Sequence, residues 1–144
     1  MTDPHKPPNV QAATLAHYQA EEQRLHGFVE RLLGRDEHPA VQVLSRPKQL
    51  ISGDFYCLQA TDDKLYALLA DGMGHGLAAV LSALDLPRTF RELAAREFGL
   101  VRIADALNAL LYQRGLSGYF VAMSLVCLDA RQQRIDAITA AIRP

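Results

Sequence analysis

The sequence predicts an α+β domain, and three observations carry that prediction. Two strand-like runs, residues 55–59 and 65–70, are joined by the short polar turn Thr61-Asp62-Asp63-Lys64. A central block, from about residue 77 to 111, repeats apolar residues at helical spacing. Two more strand-like runs, 119–128 and 134–142, then follow around the polar loop 129–133. Helices inserted between antiparallel pairs, rather than alternating with single strands, define this class. At 144 residues and 49% hydrophobic, the chain suits one domain with a real core.

Taken in order, residues 1–10 hold three of the seven prolines and read as a flexible lead-in. Residues 11–34 form an N-terminal helix, on which Leu25, Phe28, Val29, Leu32 and Leu33 share one face and Gly34 ends the run. Tyr18, Leu25 and Leu32 also fall seven apart. Two readings follow: an amphipathic helix packed on its own domain, or a dimerising or signal-relay helix. Residues 35–144 are the domain proper. Residues 41–44 are a short strand candidate that Arg46-Pro47 breaks. Residues 77–86 read as helix, ended or kinked by Pro87. Residues 88–98 read as helix again, closed by Gly99, and Ile103, Ala106, Leu107, Leu110 and Leu111 mark a third.

Fifteen basic against sixteen acidic residues, with no basic block, argue against a nucleic-acid surface. No apolar run reaches membrane-span length and no signal peptide is evident, which points to a cytoplasmic setting without a membrane contact. Cys57 and Cys127 sit inside apolar strands and read as buried thiols.

The chemistry concentrates in two segments, Ser52-Gly53-Asp54-Phe55 and Asp71-Gly72-Met73-Gly74-His75-Gly76-Leu77-Ala78-Ala79. If the first two strands pair around Asp62-Asp63 through a two- or four-residue loop, Asp54 falls directly opposite Asp71. Like charges at that spacing repel, so the pair needs a shared proton or a cation. Asp54 and Asp71 sit beside glycines, in loops expected to be wet, which favours the cation. Oxygen-only donors select Mg²⁺ or Mn²⁺ over zinc, and the Gly72 carbonyl adds a neutral ligand. Two such ions would activate water and clamp a phosphoryl group for in-line attack. The bland alternative is a pair of ordinary strand-end aspartates. His75, alone between glycines, reads as a structural residue of the turn or an assistant in proton transfer. Gly72, Gly74 and Gly76 match neither a dinucleotide fingerprint nor a P-loop. Arg88, Arg91 and Arg96 read as a solvated helix face, or else one of them holds a substrate phosphate.

Together with Asn108-Ala109-Leu110-Leu111 and Phe120-Val121-Ala122, these segments resemble the metal-dependent PPM (protein phosphatase 2C-like) serine/threonine phosphatases. The resemblance is to the bacterial SpoIIE/RsbU type, found as output domains of response regulators, and it covers roughly residues 41–144. It implies a two-sheet β-sandwich flanked by helices. It also implies Asp54 and Asp71 as side-chain ligands of Mn²⁺ or Mg²⁺, and Gly72 as a backbone ligand. The substrate implied is a phosphorylated regulatory protein resembling an anti-sigma-factor antagonist, and the N-terminal helix would relay from an upstream receiver or sensor. Two departures stand out. A glycine-histidine-proline turn is replaced by Ala141-Ile142-Arg143-Pro144, and the later Asp-Gly-x-x-Glu type segment that completes the metal site does not occur in residues 1–144. Asp105, Asp129 and Asp136 do not substitute for it by position. The expectation is therefore a domain lacking its C-terminal part, with a non-catalytic binding or dimerisation module, or a plain α+β scaffold, as the competing readings.

Overall fold

The structure, a computed structural model, describes residues 14–21, 23–25, 36–44, 53–73, 84–113 and 120–140. Among the described residues after 53, the elements are β1 (Asp54–Ala60), β2 (Lys64–Gly72), α1 (Asp85–Ala95), α2 (Leu100–Gln113), β3 (Val121–Asp129) and β4 (Arg134–Ala140). The strands form one antiparallel sheet in the order β1-β2-β3-β4. The α+β class is as expected, and among the described residues this sheet is one layer of the expected sandwich.

Strand alternation sorts the residues between the two faces. Cys57, Leu68, Leu125 and Ile138 are successive cross-strand partners and form one row across all four strands. Tyr66, Ala70, Val121, Met123 and Cys127 extend that face, and the helices cover it. Helix α1 packs on β1, and α2 packs on α1, β3 and β4. Leu86, Phe90 and Ala94 of α1 and Leu100, Ile103 and Leu107 of α2 supply the matching apolar surface at helical spacing. The opposite face carries Asp54, Tyr56, Leu58, Leu69, Asp71, Leu128 and Ile135, of which Leu69, Leu128 and Ile135 are exposed.

Several boundaries differ from the sequence reading, each for a local reason. Residues 41–44 are not a strand. His38, Pro39, Ala40 and Val41 make a turn in which the Val41 N–H donates to the His38 carbonyl (2.9 Å), with Pro39 at its second position. Pro87 does not divide two helices at Arg88. It is the third residue of α1, in the first turn, where its missing N–H has no intrahelical partner to lose. Helix α1 stops at Ala95 rather than at Phe98. The Phe98 N–H donates to the Leu93 carbonyl and the Glu97 N–H to the Ala94 carbonyl, a Schellman ending. Its left-handed position is held by Glu97 (φ 54°), not by Gly99. The Glu97 carboxylate accepts from Lys64 Nζ at 2.8 Å and so ties this turn to the start of β2.

The described part of the N-terminal segment, residues 14–21 and 23–25, is helical, and Leu15 and Tyr18 on it are exposed. Phe28, Val29, Leu32 and Leu33 lie outside the described residues, as do 1–10 and the 77–83 part of the expected helix.

Candidate metal centre

The β1–β2 hairpin is in the register expected from a turn centred on Asp62-Asp63, with Asp54 paired to Asp71. The Gly72 N–H donates to the Gly53 carbonyl (3.2 Å) and the Thr61 N–H to the Lys64 carbonyl (2.8 Å). Bonded and unbonded pairs alternate along an antiparallel ladder. Asp54–Asp71, one step from Gly53–Gly72, is therefore an unbonded pair, the type whose Cα atoms come within about 4.5 Å and whose side chains are nearest. Both carboxyls stand on the sheet face away from the helices. One expectation is corrected here: the aspartates lie within strands, not in the loops beside them, so the ladder holds both backbones.

The electrostatics reflect this closeness. The Asp71 carboxyl is pushed above its ordinary value, first by loss of water, then by its hydrogen bond with the Asp54 carboxyl and by repulsion from it. A hydrogen bond between two carboxyls requires a proton on one of them, the metal-free way of relieving the repulsion.

The donor set suits one hard divalent cation. An extended residue points its N–H and C=O to the same side. Since the Gly72 N–H reaches β1, its carbonyl also lies on the side from which Asp54 comes. Two carboxylates and a carbonyl match Mg²⁺ or Mn²⁺, which retain several waters when bound. Among the described residues, no group of three or more His, Cys, Asp or Glu side chains is placed to hold a metal.

Among the described residues, the other acidic candidates are elsewhere. Asp129 pairs with Lys64, seven residues along β2 from Asp71, which is about 23 Å away at strand rise. Asp136 binds Arg134 on β4, and Asp105 and Asn108 are exposed on α2, in the layer behind the sheet. His75 lies outside the described residues. The arginines of α1 also serve other ends: Arg88 pairs with Glu92 and Arg91 with Asp36. The sequence reading gives Asp36 no role. One of its carboxylate oxygens accepts from the Leu58 N–H on the outer edge of β1 (2.7 Å) and from Arg91 of α1 (2.8 Å). No periodicity reveals such a residue, whose partners are 22 and 55 positions away.

The fold of the chain is similar to that of solved domains. The SiaA-PP2C domain of Pseudomonas aeruginosa superposes with a TM-score of 0.67 at 17% identity, over 90% of this chain and 55% of that one. The RsbU and RsbW domains of Rv1364c from Mycobacterium tuberculosis superpose with a TM-score of 0.56 at 21% identity, over 66% of this chain and 27% of that structure. The chain thus spans about half or less of these structures, and at such identities the likeness speaks to the fold. No curated protein sequence matches the chain.

The family is set by sequence. The model of the family described as Stage II sporulation protein E (SpoIIE) matches residues 61–144, more than half of the chain. The chain belongs to the SpoIIE family, and its fold is that of the PPM-type phosphatase domains.

Proposed function

We propose that this chain carries the first half of the metal site of a serine/threonine protein phosphatase of the SpoIIE/RsbU type. The observation that supports this most is the facing Asp54–Asp71 pair at the end of the β1–β2 hairpin, within the family's fold. Asp54 and Asp71 would hold Mn²⁺ or Mg²⁺ through their carboxylates, and Gly72 through its carbonyl. A cation bound there supplies Lewis acidity toward a phosphoryl oxygen and lowers the pKa of an attached water. The chain's own contribution is positional. The strand ladder keeps the two carboxylates together at the end of the hairpin.

The substrate in this reading is a phosphoserine or phosphothreonine of a regulatory protein resembling an anti-sigma-factor antagonist, in the cytoplasm. The pairing of RsbU with RsbW domains in the Mycobacterium tuberculosis structure supports that kind of partner. The N-terminal helix, with Leu15 and Tyr18 exposed, is the proposed route from an upstream receiver or sensor and a proposed homodimer contact. Sedimentation of a chain beginning at Arg35 tests the dimer, which should then be lost.

The phosphatase reading is tested by Mn²⁺-dependent hydrolysis of a phosphoserine protein by the full-length gene product. Asp71→Asn should reduce the rate far more than twofold; a rate within twofold of wild type removes the ligand role. A second reading, a non-catalytic binding module, is favoured by there being no third acidic group beside the pair among the described residues. Calorimetry with Mn²⁺ separates the two, since an eroded site takes up no ion.

A further inference from the structure

Strand β1 carries Asp54 as its first residue and lies at the edge of the sheet among the described residues. Gly53 and Gly72 form a bonded pair, so Asp54, Tyr56, Leu58 and Ala60 fall in unbonded pairs and turn their N–H groups away from β2. Asp36 meets the strand on that outward side. Its Oδ2 accepts from the Leu58 N–H at 2.7 Å and from Arg91 Nη2 of α1 at 2.8 Å. The two side chains are 21% and 26% exposed, so these charge-assisted bonds are largely shielded from water. Arg91 follows the fully buried Phe90, which anchors its helix in the core.

We infer that Asp36 is a positioning residue for the metal centre, holding β1 against β2 so that Asp54 stays beside Asp71. This rests on the reading of Asp54 and Asp71 as metal ligands. The two carboxylates repel each other when both are ionised, and that force drives their strands apart. Strand β2 is bonded on both sides, to β1 and to β3, whereas β1 has a strand on one side among the described residues. It is therefore β1 that yields, and Asp36, tied to α1 through Arg91, stands on the side toward which it would move. Leu58 is four residues from Asp54, about 13 Å along one continuous strand. With Asp36 in place the ligands are already close before an ion arrives. Without it, an incoming ion must draw β1 back, and that work is subtracted from its binding free energy.

The test measures Mn²⁺ binding to the full-length protein by calorimetry, together with the Mn²⁺ dependence of phosphoserine-peptide hydrolysis. Asp36→Ala should weaken Mn²⁺ binding about threefold to tenfold. The Mn²⁺ needed for half-maximal rate should rise by the same factor, with kcat at saturating Mn²⁺ much less affected. Asp36→Asn, which keeps an acceptor for Leu58, should recover part of the affinity. Ile103→Val loosens the core from α2 instead and should leave the affinity unaltered. Metal-free protein supplies an independent readout, amide exchange at the Gly72 N–H that closes the hairpin beside Asp54. Relative to the β3–β4 ladder, that exchange should quicken in Asp36→Ala and, if this variant does not fold, in Arg91→Gln. Unchanged Mn²⁺ affinity in the folded variant, an equal loss in Ile103→Val, or an unaltered exchange ratio overturns the inference. Failure of the wild-type protein to bind Mn²⁺ counts against the metal-site reading, while the exchange ratio still decides whether Asp36 holds this end of β1.

Discussion

Asp54 and Asp71 are cross-strand partners at the open end of the β1–β2 hairpin, in a pair that shares no backbone hydrogen bond. That geometry brings two acidic groups as close as an antiparallel sheet allows and raises the protonation range of Asp71. A carboxyl whose folded value lies above its unfolded value favours folding at low pH. Its contribution is present below the ordinary value of 3.8 and is lost as pH rises through the raised one. The metal-free protein should therefore lose urea resistance across that window, and Asp71→Asn should flatten the loss. At neutral pH, Mn²⁺ should raise the urea midpoint of wild type but not of Asp71→Asn. Equal Mn²⁺ stabilisation of both proteins would show that the ion binds elsewhere.

Asp36 fastens the edge strand β1 to helix α1 through the Leu58 N–H and Arg91. Both side chains of the ion pair are mostly shielded from water. Asp36→Ala should cost about 1–3 kcal/mol in urea unfolding, since it strands an edge N–H and leaves Arg91 without this partner. Asp36→Asn should recover part of the loss because its amide oxygen still accepts from Leu58. A cost within experimental error for Asp36→Ala would mean that solvent replaces both contacts.

Glu97 holds a left-handed backbone conformation that costs any residue with a Cβ. Its ion pair with Lys64 is exposed, and such pairs contribute little. Glu97→Gly should thus raise the urea midpoint, whereas Glu97→Ala should lower it by losing the pair while retaining the strain. If both variants behave alike, the backbone conformation is not what limits this turn.

The centre of the core is the row Cys57–Leu68–Leu125. Burial pushes the Cys57 thiol up to about 12, so at pH 8 only about one in ten thousand is thiolate. Native protein should leave Cys57 unmodified by a thiol reagent that labels it promptly in urea. Its contribution to stability is complete below pH 9.0 and declines as pH rises toward about 12. Leu68→Ala should cost about 2–5 kcal/mol and speed that labelling in the native state. Rapid native labelling of Cys57 would contradict the packing described for the row.

The hairpin register was legible in the sequence because it depends on neighbours. A short polar turn between two apolar runs admits few pairings, and the one that occurs sets Asp54 against Asp71. Helix α2 was equally legible, since Ile103 and Leu107 are spaced for one buried face. The end of α1 was read too late, at Phe98, because glycine is the usual left-handed residue and Gly99 stands nearby. Glu97 takes that position where its carboxylate can reach Lys64, a partner 33 positions away.

The sequence by itself therefore determined the four strands, the α2 face and the facing register of the acidic pair, each of which follows from local pattern or from the turn that joins two neighbouring strands. Only the tertiary structure decided which side of the sheet the pair occupies. Cys57 and Leu68 turn their face to the helices, and strand alternation leaves Asp54 and Asp71 on the other. Only the structure placed β3 beside β2 across the span that holds α1 and α2, bringing Phe120 next to Met73. It also joined Asp36 to Arg91. Such contacts depend on how apolar faces far apart in the chain pack against each other, and no local pattern encodes that.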